Sequence, residues 1–376
     1  MTTQIDVATL RLWLEEQRPV RLLDIRSAGD REQWSIPGSI HVDAYDSLKT
    51  GQAGALDGFE LLGTGPVVIV CNAGRMSLLA AQRLGARGVP AISLEGGMKA
   101  WSLAWNTAPV SLALNRTRVV QIRRTGKGCL SYLISSGGEG IVIDASLPPE
   151  VYVRLAEQED CTIRFVVDTH VHADHLSRSR ALAKQTNAVY VLPQQDRVTC
   201  SFRPVVDGDT LEVGHSRLTA LRTPGHTAES TCYLLDGAAL FTGDTLFLAG
   251  VGRPDLQADA VKDEAQVRRR AADLHASLAR LFALDDKLSV LPGHTSEPVP
   301  FDRIPLVAQL GEVAKRLAGW RCPVDDFTPR ILARIPPTPP NYVRIVRINE
   351  TGGRLEGSTV LDPTDLEAGA NRCAVS

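Results

Sequence analysis

The stretch Asp168-Thr169-His170-Val171-His172-Ala173-Asp174-His175 constrains this chain more than any other. It sets three imidazoles and a carboxylate within six positions, and it holds three of the chain's eight histidines. Neutral imidazole is the commonest protein ligand for metals and carboxylate joins it readily, so this density points to a metal site. The apolar run Thr162–Val167 before it reads as a strand, and 176–186 after it as a helix with Leu176, Ala181, Leu182 and Ala183 on or near one face. The motif therefore sits where a strand ends. On an extended segment His170 and His172 point the same way, while Asp174 and His175 fall on the turn and approach from another side. One short loop can thus serve one metal or two.

A chain of 376 residues has room for two or three domains of roughly 100–200 residues each. Its 41 basic and 43 acidic residues leave a net charge of −2 with no basic block, so nucleic acid is not an expected partner. No apolar run reaches the ~20 residues of a bilayer span, and Asp6, Glu15 and Glu16 stand where a signal or transit peptide avoids acids. No membrane partner is expected, and the expected location is cytoplasmic. The seven cysteines are scattered without a CxxC pair, which argues against a disulfide framework.

From the N-terminus, residues 5–20 read as a helix with Leu10, Trp13 and Leu14 at helical spacing, followed by strands at 20–25, 66–70 and 91–94. A helix at 77–84 and a glycine turn into a last helix at Trp101 alternate with them, the pattern of a doubly wound α/β domain. Asp24-Ile25-Arg26, Ile36-Pro37-Gly38, Cys71 through Ser77 and Leu94-Glu95-Gly96-Gly97 to Trp101 stand in the order and spacing of the rhodanese-like sulfurtransferases, which this part resembles. A thiol leaving a strand into a glycine loop ahead of a helix faces backbone N–H groups and the positive helix end, which favour thiolate. The resemblance implies that Cys71 is catalytic and carries a persulfide, with Arg75 binding substrate. Because Met76 stands where that family often has arginine, thiosulfate is expected to be a poor donor.

Residues 102–113 carry no charge and no periodicity and read as a linker, with a domain boundary near 110. Short strands at 119–122, 130–134 and 140–143, separated by Gly-rich turns, then suggest an antiparallel meander leading to the histidine motif. Three later pieces, Thr223-Pro224-Gly225-His226, Phe241-Thr242-Gly243-Asp244 and Leu291-Pro292-Gly293-His294, each put one ligand after a strand beside a glycine or proline turn. Together with 168–175 they resemble the metallo-β-lactamase superfamily, which implies an αββα sandwich with a metal site at one edge.

Two metal chemistries fit that ligand list. With two zinc ions, His170, His172 and His226 hold one and Asp174, His175 and His294 the other, Asp244 bridging, for hydrolysis of a thioester as in hydroxyacylglutathione hydrolase. With one Fe(II) per chain, His170, His226 and Asp244 form a two-histidine, one-carboxylate face, and His172, Asp174, His175 and His294 orient ligands around it. Val251-Gly252-Arg253-Pro254-Asp255 resembles a loop of the persulfide dioxygenases, or sulfur dioxygenases, of that superfamily. This resemblance favours iron, with Arg253 binding an anionic persulfide and O2 as co-substrate. Thr295-Ser296 after His294 departs from that group's usual Asp-Tyr, so a low-molecular-weight persulfide other than glutathione persulfide also fits.

The sequence thus implies a rhodanese-like domain over 1–110, a metallo-β-lactamase-like catalytic domain over 111–300, and a helical, Pro-rich extension over 301–376 with a frayed tail after Asn349. The small-molecule partners are persulfide, thiosulfate or sulfite, and O2. A first domain that only senses sulfur or binds a partner is the reading of a different class.

Overall fold

The structure is a computed structural model that describes residues 4–57, 64–256, 263–339, 341–352, 363–367 and 372–375. The first unit runs β1 (Gln4–Ile5), α1 (Val7–Glu15), β2 (Arg21–Asp24), α2 (Ala28–Gln33), β3 (Ile40–His41), α3 (Tyr45–Lys49), β4 (Val67–Val70), α4 (Arg75–Ala86), β5 (Ala91–Leu94) and α5 (Gly97–Trp101). Its strands form one parallel sheet in the order β1-β5-β4-β2-β3. All four residues of β4 are buried, because Leu23, Ile69 and Leu84 pack on one face and Leu10, Val68 and Trp101 on the other. This is the expected doubly wound arrangement. Helix α1 is shorter than the 5–20 read from periodicity: Asp6 caps it by accepting from the Thr9 N–H, and Gln17 at φ 52° turns the chain away.

The rest of the chain runs β6 (Asn106–Val110), β7 (Thr117–Arg124), β8 (Cys129–Ser136), β9 (Glu139–Ile143), α6 (Pro149–Gln158), β10 (Thr162–Val167), α7 (Ser179–Thr186), β11 (Val189–Pro193) and β12 (Arg203–Val205). It continues β13 (Thr210–Val213), β14 (Ser216–Arg222), β15 (Thr231–Leu235), β16 (Ala239–Gly243), β17 (Val251–Gly252), α8 (Glu264–Leu281), β18 (Ser289–Pro292), β19 (Ala308–Gln309), α9 (Leu310–Arg316), α10 (Val324–Leu332), α11 (Tyr342–Thr351), α12 (Pro363–Glu367) and β20 (Ala374–Val375). A seven-stranded sheet, β12-β11-β10-β9-β8-β7-β6, faces a six-stranded one, β13-β14-β15-β16-β18-β19. Ile134, Ile141, Leu218, Tyr233 and Phe241 fill the space between them. Tyr152 and Leu155 of α6 cover the outside of the first sheet, and Leu274 and Leu278 of α8 with Phe327 of α10 cover the second. The expected αββα sandwich is therefore the architecture.

Two expectations need correction. Residues 102–113 are not a linker: β6 pairs antiparallel with β7 from Asn106–Arg123 to Val110–Val119, and its burial alternates as an edge strand's does. A charge-free segment reads the same in either role. Within the extension expected to be helical, residues 305–317, whose periodicity predicts a single helix, give β19 and the short α9 instead. The C-terminal extension packs on the catalytic domain: Phe327, Ile331 and Val375 share a core cluster with α8, and β20 pairs with β17. Of the tail expected to fray, residues 353–362, 368–371 and 376 lie outside the described residues, as does Pro340 of the Pro-rich stretch. No helix among the described residues is long and apolar enough to cross a membrane.

The two units meet through the turn 125–128, Thr125-Gly126-Lys127-Gly128. The Trp34 indole N–H donates to Thr125 O at 3.0 Å, Gly126 N–H to Ala104 O at 3.1 Å, and the Arg124 Nε to Ser102 O at 2.7 Å. A Cβ at Gly126 would lie 1.8 Å from Trp101 O, so this approach requires glycine.

Candidate metal centre

The ends of β10, β14, β16 and β18 bring the histidine motif, His226, Asp244 and His294 to one edge of the sandwich, all of them 5% exposed or less. They do not form one undivided cluster. Ligand atoms of His170, His226 and Asp244 lie within 4.8 Å of one another, with His226 Nε2 at 3.5 Å and His170 Nε2 at 3.9 Å from Asp244 Oδ2. These three atoms are buried without a hydrogen-bond partner. Such atoms are rare in folded proteins unless something else satisfies them, and a cation held by the three would do so.

Each of the three ligands is held from behind. His170 Nδ1 is 2.9 Å from Thr169 Oγ1, whose own hydroxyl donates to Asp144 Oδ2 at 2.9 Å, so the ring N–H points at threonine and Nε2 keeps its lone pair. His226 Nδ1 donates to Arg253 O at 2.8 Å with the same effect. Asp244 Oδ1 accepts from His294 Nδ1 at 2.5 Å. Burial holds His170 well below the usual imidazole range and lowers His226 too, so both are neutral and ready to ligate.

The remaining members are occupied with one another. His294 Nε2 donates to Asp174 Oδ2 at 2.8 Å, and His175 Nδ1 to Asp174 Oδ1 at 3.0 Å. Burial opposes charge on His294, but Asp174 and Asp244 outweigh it and raise its pKa well above the usual value. A protonated His294 thus lies between two carboxylates. His172 turns Nε2 to Asp144 Oδ1 at 3.2 Å, and Asp144 and Asp168 overcome burial to keep it charged. His172 Nδ1 and His175 Nε2 have no hydrogen-bond partner.

Five contributors escape a sequence reading. Asp144, at the end of β9, supports Thr169 and His172. Cys129 opens β8 beside Asp174 and His175; burial and Asp174 push its thiol up, but the His175 charge and hydrogen bonding to His175 and His294 outweigh them and bring it down to about 6. Asn349 of α11 donates to the carbonyls of His172 and His175 at 2.8 and 2.9 Å. Glu367 accepts from Leu176 N–H at 2.6 Å and from Arg124 and Arg178. Cys373 lies with Asp244 and His294. Of these only Asp144 carried a signal, an acid at the end of an apolar strand.

Arg253, expected to bind substrate, is instead fully buried: Nε and one terminal nitrogen grip Asp255 at 2.8 Å each, and the other reaches Arg372 O at 3.1 Å and Pro337 O. Its donors fasten the C-terminal strand.

In the first unit, Cys71 is 1% exposed, with Sγ accepting from Gly74 N–H at 3.1 Å and 3.2 Å from Ser77 Oγ. Gly74, at φ 85°, bends the loop into α4, and α5 closes over it as Met98 N–H and Lys99 N–H donate to the Cys71 and Asn72 carbonyls. Arg75 is exposed on the first turn of α4.

Comparison with known families agrees with both units. The model of the metallo-beta-lactamase superfamily matches residues 124–294, and that of the rhodanese-like domain matches 6–104. A crystal structure of ETHE1 from Myxococcus xanthus is 31% identical, covers 62% of this chain and 98% of its own, and superposes with a TM-score of 0.54. The chain joins a rhodanese-like domain to a metallo-β-lactamase-superfamily domain. A metallo-beta-lactamase structure from Staphylococcus aureus is similar at 28% identity, covering 65% of this chain and 77% of that one, with a TM-score of 0.58. Among curated proteins, a hydroxyacylglutathione hydrolase of Rhizobium johnstonii is 34% identical over 135 residues, 35% of this chain and 48% of its own. The cytoplasmic isozyme of Saccharomyces cerevisiae is 31% identical over 186 residues, 46% of this chain and 65% of its own. The chain spans about half to two thirds of the length of these curated relatives. The metallo-β-lactamase domain thus holds the buried histidine and aspartate groups that suit a metal, and the rhodanese-like domain holds Cys71.

Proposed function

We propose that this chain is a cytoplasmic persulfide dioxygenase in which a single iron ion is held by His170, His226 and Asp244, and in which Cys71 carries sulfane sulfur. The observation that supports this most is the division of the site. Three unpartnered atoms form a two-histidine, one-carboxylate face, while Asp174 and His294, which a second metal would need, are bonded to each other at 2.8 Å. A ferrous ion there would supply open positions for oxygen and for a sulfur ligand. The chain's own residues do the rest. Thr169 and the Arg253 carbonyl fix the two imidazole tautomers, His294 holds Asp244 from the far side, and the burial of every ligand excludes bulk water. Cys71, beside the Gly74 N–H, would accept sulfur from a small persulfide.

One observation favours the dizinc hydrolase: His172 Nδ1 and His175 Nε2 are also buried and unpartnered. It would draw on Cys129, Asp174, His175 and His294, whose ligand atoms also lie within 4.8 Å of one another. Metal analysis of protein purified without added metal separates the two. About one iron per chain with O2 uptake and sulfite release on glutathione persulfide supports the dioxygenase; two zinc ions with thioester hydrolysis and no O2 uptake refute it.

A further inference from the structure

The parallel strands β1, β5 and β4 stop at Asp6, Glu95 and Cys71, and at this edge a cavity of about 810 Å³ opens between the first unit and the rest of the chain. Open α/β sheets take their ligands outside the carboxyl ends of their strands, and the size is that of a small-molecule site. One wall belongs to the Cys71 loop. Ala73 lines the cavity, and so does Lys99, whose N–H donates to Asn72 O at 2.9 Å. Two peptide steps span at most about 7 Å, which sets the reach from Ala73 to Cys71. The facing wall comes from the other unit, with Trp105 and with Arg154 of α6. Arg11 of α1 lies over the Trp105 ring at 3.9 Å from its centre. Burial lowers the Arg11 pKa, Glu15 raises it, and the charge of Arg154 lowers it further, so the cavity holds two guanidinium groups near each other. Among the described residues the side chain of Arg154 makes no hydrogen bond or ion pair, and neither does that of Glu95 in the same cavity. Charges placed there only to join the units would pair with each other. Held apart, they complement a molecule that carries both signs.

We propose that this cleft seats the tail of the small persulfide that gives its sulfur to Cys71, and that the tail is an amino-acid zwitterion: Arg154 and Arg11 take carboxylate, Glu95 takes ammonium, and the sulfur end lies over Ala73. This names the substrate class of the Cys71 reading above and rests on it. Glutathione, with carboxylates at both ends and one ammonium group, has this chemistry. The transfer itself is balanced. The Cys71 sulfur attacks the outer sulfur of R–S–SH, that S–S bond breaks as a new one forms, R–SH leaves with the Cys71 proton, and nothing is oxidised. Because Arg154 stands on α6, the metallo-β-lactamase domain supplies part of the selectivity of the sulfurtransferase site.

The test follows sulfur transfer to cyanide by the full chain without oxygen, so that the metal centre consumes no persulfide. The donors are glutathione persulfide and hydroxyethyl persulfide, whose tail is uncharged. Arg154→Ala and Glu95→Gln change exposed side chains, and each should lower the preference for glutathione persulfide, taken as the ratio of the two kcat/KM values, by ~5-fold, with the loss in KM. Arg154→Lys, which keeps the charge, should recover most of it. An unchanged preference in Arg154→Ala, or an Arg154→Lys that behaves like the alanine variant, overturns the seat. Cys71→Ser, run alongside, keeps the two readings apart. If it transfers sulfur from either donor at the wild-type rate, the sulfurtransferase reading falls and the seat with it; if it is inactive while the preference of the other variants stays put, the seat alone falls.

Discussion

Glu367→Gln tests whether the C-terminal segment holds the metal loop. Glu367 is fully buried; its carboxylate faces Arg124, also fully buried, at 2.8 Å, pairs with Arg178, and accepts the Leu176 N–H directly after His175. Burial alone would raise its pKa, but the two guanidinium groups bring it down to about 2. Against an unfolded value of roughly 4.3, that corresponds to about 3 kcal/mol favouring the folded state at neutral pH. Removing one partner of a buried pair independently suggests roughly 3–5 kcal/mol, because Arg124 is left without its counter-charge. The cooperative transition of the metallo-β-lactamase domain should therefore fall by about 6–12 °C at pH 7, at roughly 2–4 °C per kcal/mol. The sign in pH is fixed. A depressed carboxylate stabilises above its unfolded pKa, so the gap between wild type and variant should be full at pH 7, shrink below about pH 4.3 and vanish near pH 2. Calorimetry and iron content are measured together, since loosening Leu176 and Arg178 disturbs His175. A variant melting within ~1 °C of wild type at pH 7, with full iron, would refute the clamp.

Three further outcomes are expected. His226→Ala should remove most of the bound metal, whereas His172→Ala, whose Nε2 faces Asp144, should weaken binding by only ~10–100-fold; equal losses by metal titration would count against the single-ion set. Cys71→Ser should abolish sulfane-sulfur transfer while leaving iron content and persulfide-dependent O2 uptake near wild type, as a donor-acceptor assay beside an oxygen electrode would show. Gly126→Ala would place its Cβ 1.8 Å from Trp101 O and so force the turn away, so limited proteolysis should cut between the two domains faster than in wild type, and an unchanged digestion pattern would argue that the interface is loose.

The metal motif was legible because its ligands cluster in sequence and because His226, Asp244 and His294 each follow a strand beside a glycine or proline. The doubly wound sheet was legible from periodicity, Val67–Val70 being apolar throughout and buried throughout, whereas the αββα sandwich was implied by the resemblance its metal motifs carry. The residues that steady the site were not. Glu367 meets Arg124 across 243 positions, and Asn349 meets His172 across 177, separations over which a lone polar residue carries no pattern. His172 shows how far alternation reaches: it shares a side with His170, ring centres 4.3 Å apart, yet a carboxylate on another strand turns its Nε2 away. Arg253 stands in the loop the sequence points to but holds a different partner, because nothing local says that the chain's own end returns to it.

The edge position of β6 bears on how this chain can be divided. A fragment beginning at residue 111 would discard β6 and leave the backbone donors and acceptors of β7, eight residues long, without their partner strand. Such a row is a template on which another chain can add itself. In the intact protein both ends of the seven-stranded sheet are blunted by proline, Pro109 on β6 and Pro204 on β12, each lacking the N–H that a visiting strand would need. The isolated catalytic half is therefore expected to self-associate at concentrations where the whole chain stays apart, and a cut before residue 106 is the one that keeps it soluble.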